Sequence, residues 1–221
     1  MIEHLLKERT LRARKILKVL KALFPDAKIA LRYSNPWELV VAVRLSAQCT
    51  DKKVNEVTFP LFKKYLTLED YAKANLAQFE QDIKPAGFYR SKAKSILDAA
   101  KIIKEKFGGN VPSTMEELTS LPGIGRKSAN VILGNAFGKT QEGIAVDTHV
   151  MRLSQKLGLT AEKDPVSIEK DLMEILPRKD WFFFTYGSIE YGRQICPRRK
   201  HKDCSEHPFT KLYPKAADLW P

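Results

Sequence analysis

Lys127 stands where helix stability alone would not put a cation. Its context is Leu121-Pro122-Gly123-Ile124-Gly125-Arg126-Lys127-Ser128-Ala129-Asn130. Pro-Gly followed by a second glycine predicts a tight turn between helices, because glycine reaches the positive φ angles such a turn needs. The second helix is expected to open near Arg126 and run on through Val131, Ile132 and Leu133. Its first amides have no helical partner and lie at the positive end of the helix dipole, which makes a phosphate site that Gly123 and Gly125 leave open to close approach. A lysine there opposes the dipole, and local rules tend to be broken at functional sites. The dipole and partial burial would favour the neutral amine, a nucleophile able to form a Schiff base with an aldehyde carbon. The glycines by themselves would favour an ordinary turn in a helical bundle; the adjoining residues change that.

A second candidate is Asp147, in Ala145-Val146-Asp147-Thr148-His149-Val150. Read on its own, an Asp at this place is a good cap for the helix that follows, and a cap holds a carboxylate fixed at a helix start. His149 reads more simply as a packing residue than as a proton carrier. Near the end of the chain, Cys196, His201, Cys204 and His207 form Cys-x4-His-x2-Cys-x2-His, a zinc-type donor set whose spacing matches no standard zinc module. A loop without metal is the expected alternative.

The formal net charge of +12 and pI near 9.5 point to a polyanionic partner. No apolar run approaches the ~18 residues a membrane span needs, which leaves nucleic acid. The basic N-terminal stretch reads as an amphipathic helix with Leu6, Ile16, Leu17, Leu20 and Leu23 on one side, not as a secretory signal. Three cysteines, Cys49, Cys196 and Cys204, fit a reducing interior better than a disulfide framework. The expected location is a prokaryotic cytoplasm, on the nucleoid, or a nucleus.

The elements that must position these residues are helical nearly throughout. Asn35 can cap a helix with Pro36 at its first position and Glu38 closing a capping box, burying Leu39, Val40 and Val43. Ser91 to Phe107 carries Ala93, Ile96, Leu97, Ala100 and Ile103 at the spacing of one helix face, and Gly108-Gly109 ends it. Ser113 to Glu116 reads as a capping box opening a short helix to Ser120, and Asp51 as a cap for the helix after it. Breaks fall at Gln48 to Asp51, Lys84 to Tyr89, Leu121 to Gly125 and Gly138 to Val146. No alternating strand and no repeat is evident, so the expected class is all-α.

The hairpin segment, the Ala145 to Val150 stretch, Leu45-Ser46-Ala47-Gln48-Cys49-Thr50-Asp51 and Ala86-Gly87-Phe88-Tyr89-Arg90-Ser91-Lys92-Ala93 occur in one order. From about Pro36 to Cys196 the chain therefore resembles the endonuclease III family of helix-hairpin-helix DNA glycosylase/AP lyases. The resemblance implies two all-helical lobes with a DNA cleft: a six-helix bundle over 29–140 containing the hairpin, and a second lobe from 1–28 and 141–221. It implies a base excision repair enzyme, a monomer acting on duplex DNA, that removes oxidised pyrimidines and then cuts the strand by β-elimination. Lys127 would be the nucleophile and Asp147 the essential carboxylate. Gln48 would enter the space left by an extruded nucleotide, and Phe88, where relatives commonly have Leu, would wedge between base pairs. Leu121, Gly123, Gly125, Arg126, Arg90 and Lys92 would contact DNA, with Arg193 a further phosphate candidate.

Two alternatives are a monofunctional glycosylase of the adenine-glycosylase type and a non-catalytic helix-hairpin-helix DNA-binding protein. Lys127 speaks against the first, and Lys127 together with Asp147 against the second. The family's iron–sulfur cluster uses four cysteines after a Tyr-Gly-Arg stretch. Here Tyr191-Gly192-Arg193 leads to Cys196 and Cys204 alone, so the chain is expected to lack the cluster and to carry a different loop in its place, with no cofactor.

Overall fold

Helices account for all regular structure among the residues described in the computed structural model, 2–197 and 207–216. The contacts divide the chain into two units. One is Ala30–Lys139; the other joins Met1–Ile29 to Thr140–Pro221.

In the first unit α2 (Pro36–Leu45) is the central element. It is apolar nearly all round, as a helix covered by neighbours on every side must be, and Trp37, Leu39 to Val43 and Leu45 are buried. Asn35 Oδ1 accepts from the Glu38 amide at 2.9 Å, while the Glu38 carboxylate reaches back to the Ser34 amide, one residue before the cap. Around α2 lie α3 (Asp51–Lys64), α6 (Tyr89–Lys106) and α8 (Arg126–Phe137). Three short helices, α4 (Leu68–Ala72), α5 (Leu76–Asp82) and α7 (Met115–Ser120), complete the unit. Trp37, Tyr65, Tyr71 and Phe79 form an aromatic cluster with ring centroids 5.2 to 5.7 Å apart, mostly edge to face.

Two caps lie one residue from where the pattern suggested. α3 is capped by Thr50, which leaves Asp51 in the first turn, and α7 is capped by Thr114 paired with Glu117, not by Ser113 with Glu116. In both places adjacent residues can cap, and the register of the buried face decides between them.

In the second unit α1 (Ile2–Leu23) packs Ala13, Ile16, Leu17 and Leu20 against α10 (Pro165–Ile175), α11 (Trp181–Gln194) and the short α12 (Pro208–Leu212). Leu23, expected on that face, is exposed at the end of the helix. α9 (Thr148–Lys156) packs against α10 and α11. Several basic residues of α1 serve the fold itself. Arg9 donates twice to the Leu159 carbonyl and pairs with Asp171 at 3.1 Å, Arg12 donates to the Gly158 carbonyl, and Lys21 pairs with Asp180.

Candidate functional site

The hairpin follows from where its residues can be buried. Leu121 and Ile124 are buried and anchor the turn, and the Ile124 amide donates to the Leu121 carbonyl at 3.1 Å. Between them Gly123 takes φ +78°, and a side-chain carbon there would collide with the Arg44 guanidinium beneath it. Glycine is thus required twice over, by backbone and by space. Gly125 is the N-cap of α8 in extended backbone, with open space around it and no side chain to satisfy the first-turn amides. A bare, uncapped helix start is an anion site.

Lys127 lies in that first turn, exposed, with no ion-pair or hydrogen-bond partner among the described residues. Its exposure corrects the expected partial burial: the side chain leaves the helix on its outer face. Arg126 and Arg90 are exposed as well, the latter with its guanidinium 5.7 Å from the Tyr89 ring.

Gln48 and Phe88 share an uncommon property. Among the described residues they are the only non-glycine residues with positive φ, at 52° and 47°. Left-handed backbone costs an L-residue about 1 to 2 kcal/mol and persists only where the surroundings enforce it, most often at functional positions. Both side chains project into solvent. Phe88 is 66% exposed, the wrong environment for an apolar ring with only a structural task. An exposed ring is what the wedge role expected of Phe88 requires.

Lys92 is a correction in the other direction. Offered as a DNA contact, it is 1% exposed, and its ammonium donates to the carbonyls of Leu45 at 2.8 Å and Ala86 at 2.9 Å. It cannot reach a phosphate from there. The signal was present in the sequence, since Lys92 lies four residues before Ile96 on the apolar stripe of α6. Burial pushes its pKa below the usual lysine value, with Arg44 adding to that and Cys49 opposing it. Arg44 and Ser95 escaped sequence reasoning altogether. Arg44 Nε donates to Ser95 Oγ at 2.7 Å, and the Ser95 hydroxyl donates to the Lys92 carbonyl. Burial depresses the Arg44 pKa too.

In the second unit Asp147 caps α9. Its Oδ1 accepts from the amides of His149 at 2.8 Å and Val150 at 2.9 Å, and among the described residues no hydrogen bond falls on Oδ2. A half-buried carboxylate is thereby fixed with one oxygen available for chemistry. His149 packs against Gly192, where any side chain would strike its ring, and its Nδ1 is buried without a hydrogen-bond partner among the described residues. Burial lowers the His149 pKa; Asp147 opposes this, and Arg152 and Arg193 reinforce it.

Of the zinc-type set, His201 and Cys204 lie outside the described residues. Cys196 is buried in the apolar core with Arg152 Nη1 3.5 Å from its sulfur, and His207 Nδ1 is hydrogen-bonded to the Tyr191 hydroxyl at 3.2 Å. Tyr191 also stacks on Phe209 with centroids 4.1 Å apart. A four-thiolate cluster does not fit these residues: the whole chain has three cysteines, and Cys49 belongs to the other unit.

Residues 41–178 match the HhH-GPD superfamily base excision DNA repair protein family. The chain is 48% identical over 205 residues to endonuclease III of Synechocystis sp., covering 93% of each chain. It is 49% identical over 191 residues to that of Bacillus subtilis, covering 86% of each. Among solved structures it is similar to a trapped endonuclease III–DNA covalent intermediate, an estranged-adenine complex. That match has TM-score 0.89 and 40% identity, and covers 95% of this chain and 97% of the other.

Proposed function

Because the chain belongs to the HhH-GPD superfamily of base excision DNA repair proteins, within it to the endonuclease III family, we propose that Lys127 and Asp147 carry its chemistry. The protein is a DNA glycosylase with AP lyase activity that acts on DNA. Oxidised pyrimidines in duplex DNA are the substrates that this reading assigns to it. The neutral amine of Lys127 attacks C1′ of the damaged nucleotide, the base departs with the C1′–N bond electrons, and the sugar opens to an imine on Lys127. Loss of a C2′ proton then expels the 3′ phosphate and breaks the strand. Asp147 supports the attack and stabilises the positive charge that grows on the sugar. Phosphates flanking the lesion bind the open N-terminus of α8, with Arg126 and Arg90 beside them. Gln48 fills the vacated space and Phe88 wedges the stack.

The observation that carries this reading is Lys127 itself: an exposed amine, without a partner among the described residues, in the first turn of a helix whose start no side chain caps. A stabilising lysine would sit at the other end of the helix. The chain works as a monomer, on the DNA of a nucleoid or nucleus, without an iron–sulfur cluster or zinc. The test is borohydride trapping on duplexes bearing an abasic site or an oxidised pyrimidine. Wild type is expected to give a covalent adduct on both, and Lys127→Ala on neither. An adduct that survives in Lys127→Ala would remove Lys127 from its role, and no adduct with wild type would favour a binding protein or a monofunctional glycosylase.

A further inference from the structure

We propose that Lys92 is a positioning residue, whose buried ammonium ties together the two loops that present Gln48 and Phe88 to DNA. This rests on the roles given above to those two side chains. The geometry is specific. The carbonyls that Lys92 Nζ joins belong to Leu45, three residues before Gln48, and Ala86, two residues before Phe88. One nitrogen thus fastens the C-terminal end of α2 and the turn before α6. Those two loops hold the non-glycine residues with left-handed backbone among the described residues.

The tie extends further. Ser95, one turn along α6, donates to the Lys92 carbonyl and accepts from Arg44, whose side chain underlies Gly123 of the hairpin. A single polar network, buried at Lys92 and part-buried at Arg44, therefore reaches three loops with proposed DNA contacts, all within residues 30–139.

Packing alone does not call for a cation here. Lys92 shares the apolar stripe of α6 with Ile96, Ala100 and Ile103. No carboxylate pairs with it among the described residues, and burial disfavours its charge. A methionine would fill the same volume without that cost, and replacing buried charge with apolar groups is often neutral or stabilising. What methionine cannot do is donate to two carbonyls at once. Both carbonyls lie at ends of helical turns, where the backbone supplies no amide of its own. The ammonium fixes the distance between the loops, and with it the spacing of Gln48 and Phe88.

The test compares two substrates. Extruding a nucleotide from a duplex needs Gln48 and Phe88; imine formation on a single-stranded abasic oligonucleotide needs only Lys127 and its surroundings. Lys92→Met is expected to slow adduct formation on a duplex abasic site roughly 10- to 100-fold, the scale of a misplacement near 1 Å. Trapping on the single strand should stay within about twofold of wild type, since no stack is opened. In a Gln48→Ala/Phe88→Ala background, Lys92→Met should add little further loss on the duplex. Should Lys92→Met not melt cooperatively, Lys92→Gln, whose uncharged amide is one bond shorter and cannot span both carbonyls as the ammonium does, is read the same way. Equal losses on both substrates would mean a merely structural role and overturn the proposal, as would an undiminished duplex rate. Wild type inactive on both substrates would instead sink the functional reading, and this inference with it.

Discussion

At the residue scale the two proposed catalytic groups are held very differently. Lys127 is exposed and without a partner among the described residues, whereas Asp147 is locked by two amides onto one oxygen. That asymmetry suits a nucleophile that must travel and a carboxylate that must stay. It also lets cap and chemistry be separated. Asn caps about as well as Asp, so Asp147→Asn should keep thermal stability close to wild type and yet cost roughly 100-fold or more in base removal. Asp147→Ala should add a stability loss of about 1 kcal/mol. Melting curves beside single-turnover rates decide it; equal activity in Asp147→Asn and wild type would leave Asp147 a cap and nothing more.

Among the elements, the hairpin contains two glycines with different duties. Gly123 is required by the protein, because φ is +78° and Arg44 occupies the space a side chain would take. Gly125 has ordinary φ and open surroundings, so its bareness serves whatever approaches from outside. Gly123→Ala should therefore destabilise the chain, by roughly 1 to 3 kcal/mol from strained backbone, besides disturbing Arg44. Gly125→Ala should lose no more than about 1 kcal/mol, the N-cap preference for glycine over alanine, and bind duplex DNA less tightly, because a methyl group keeps phosphate from the α8 amides. Calorimetry and salt-controlled binding titrations would show this, and a Gly125→Ala variant that binds normally would place the phosphates elsewhere.

For the whole molecule, the +12 charge is not one DNA-binding surface. Arg9, Arg12 and Lys21 hold α1 to its own unit, and Lys92 is buried. The region that would follow Tyr191-Gly192-Arg193 into a cluster is organised, where described, by an aromatic stack of Tyr191 on Phe209 and by the Tyr191–His207 hydrogen bond. We expect elemental analysis of purified protein to find neither iron nor stoichiometric zinc, and a chelator to leave the melting temperature unchanged. A firm metal signal would reverse that expectation and direct attention to Cys196, His201, Cys204 and His207.

Much of this was legible in the residues alone, because its causes are local. Helical class follows from apolar spacing, the hairpin turn from Pro122, Gly123 and Gly125, and the start of α8 from the residues around Arg126. Family resemblance followed from four ordered motifs, for the same reason: chemistry at a backbone turn needs adjacent residues of particular types. Other properties depend on residues distant in sequence. A lysine between a tyrosine-arginine pair and an apolar stripe looks like a surface charge until the carbonyls of Leu45 and Ala86 are brought to it. The wedge role of Phe88 came from the family resemblance alone; only the fold shows its ring in solvent on a left-handed backbone. Sequence spacing determined which residues could act; burial, which depends on what the rest of the chain packs against each one, decided which of them face solvent and which hold the others in place.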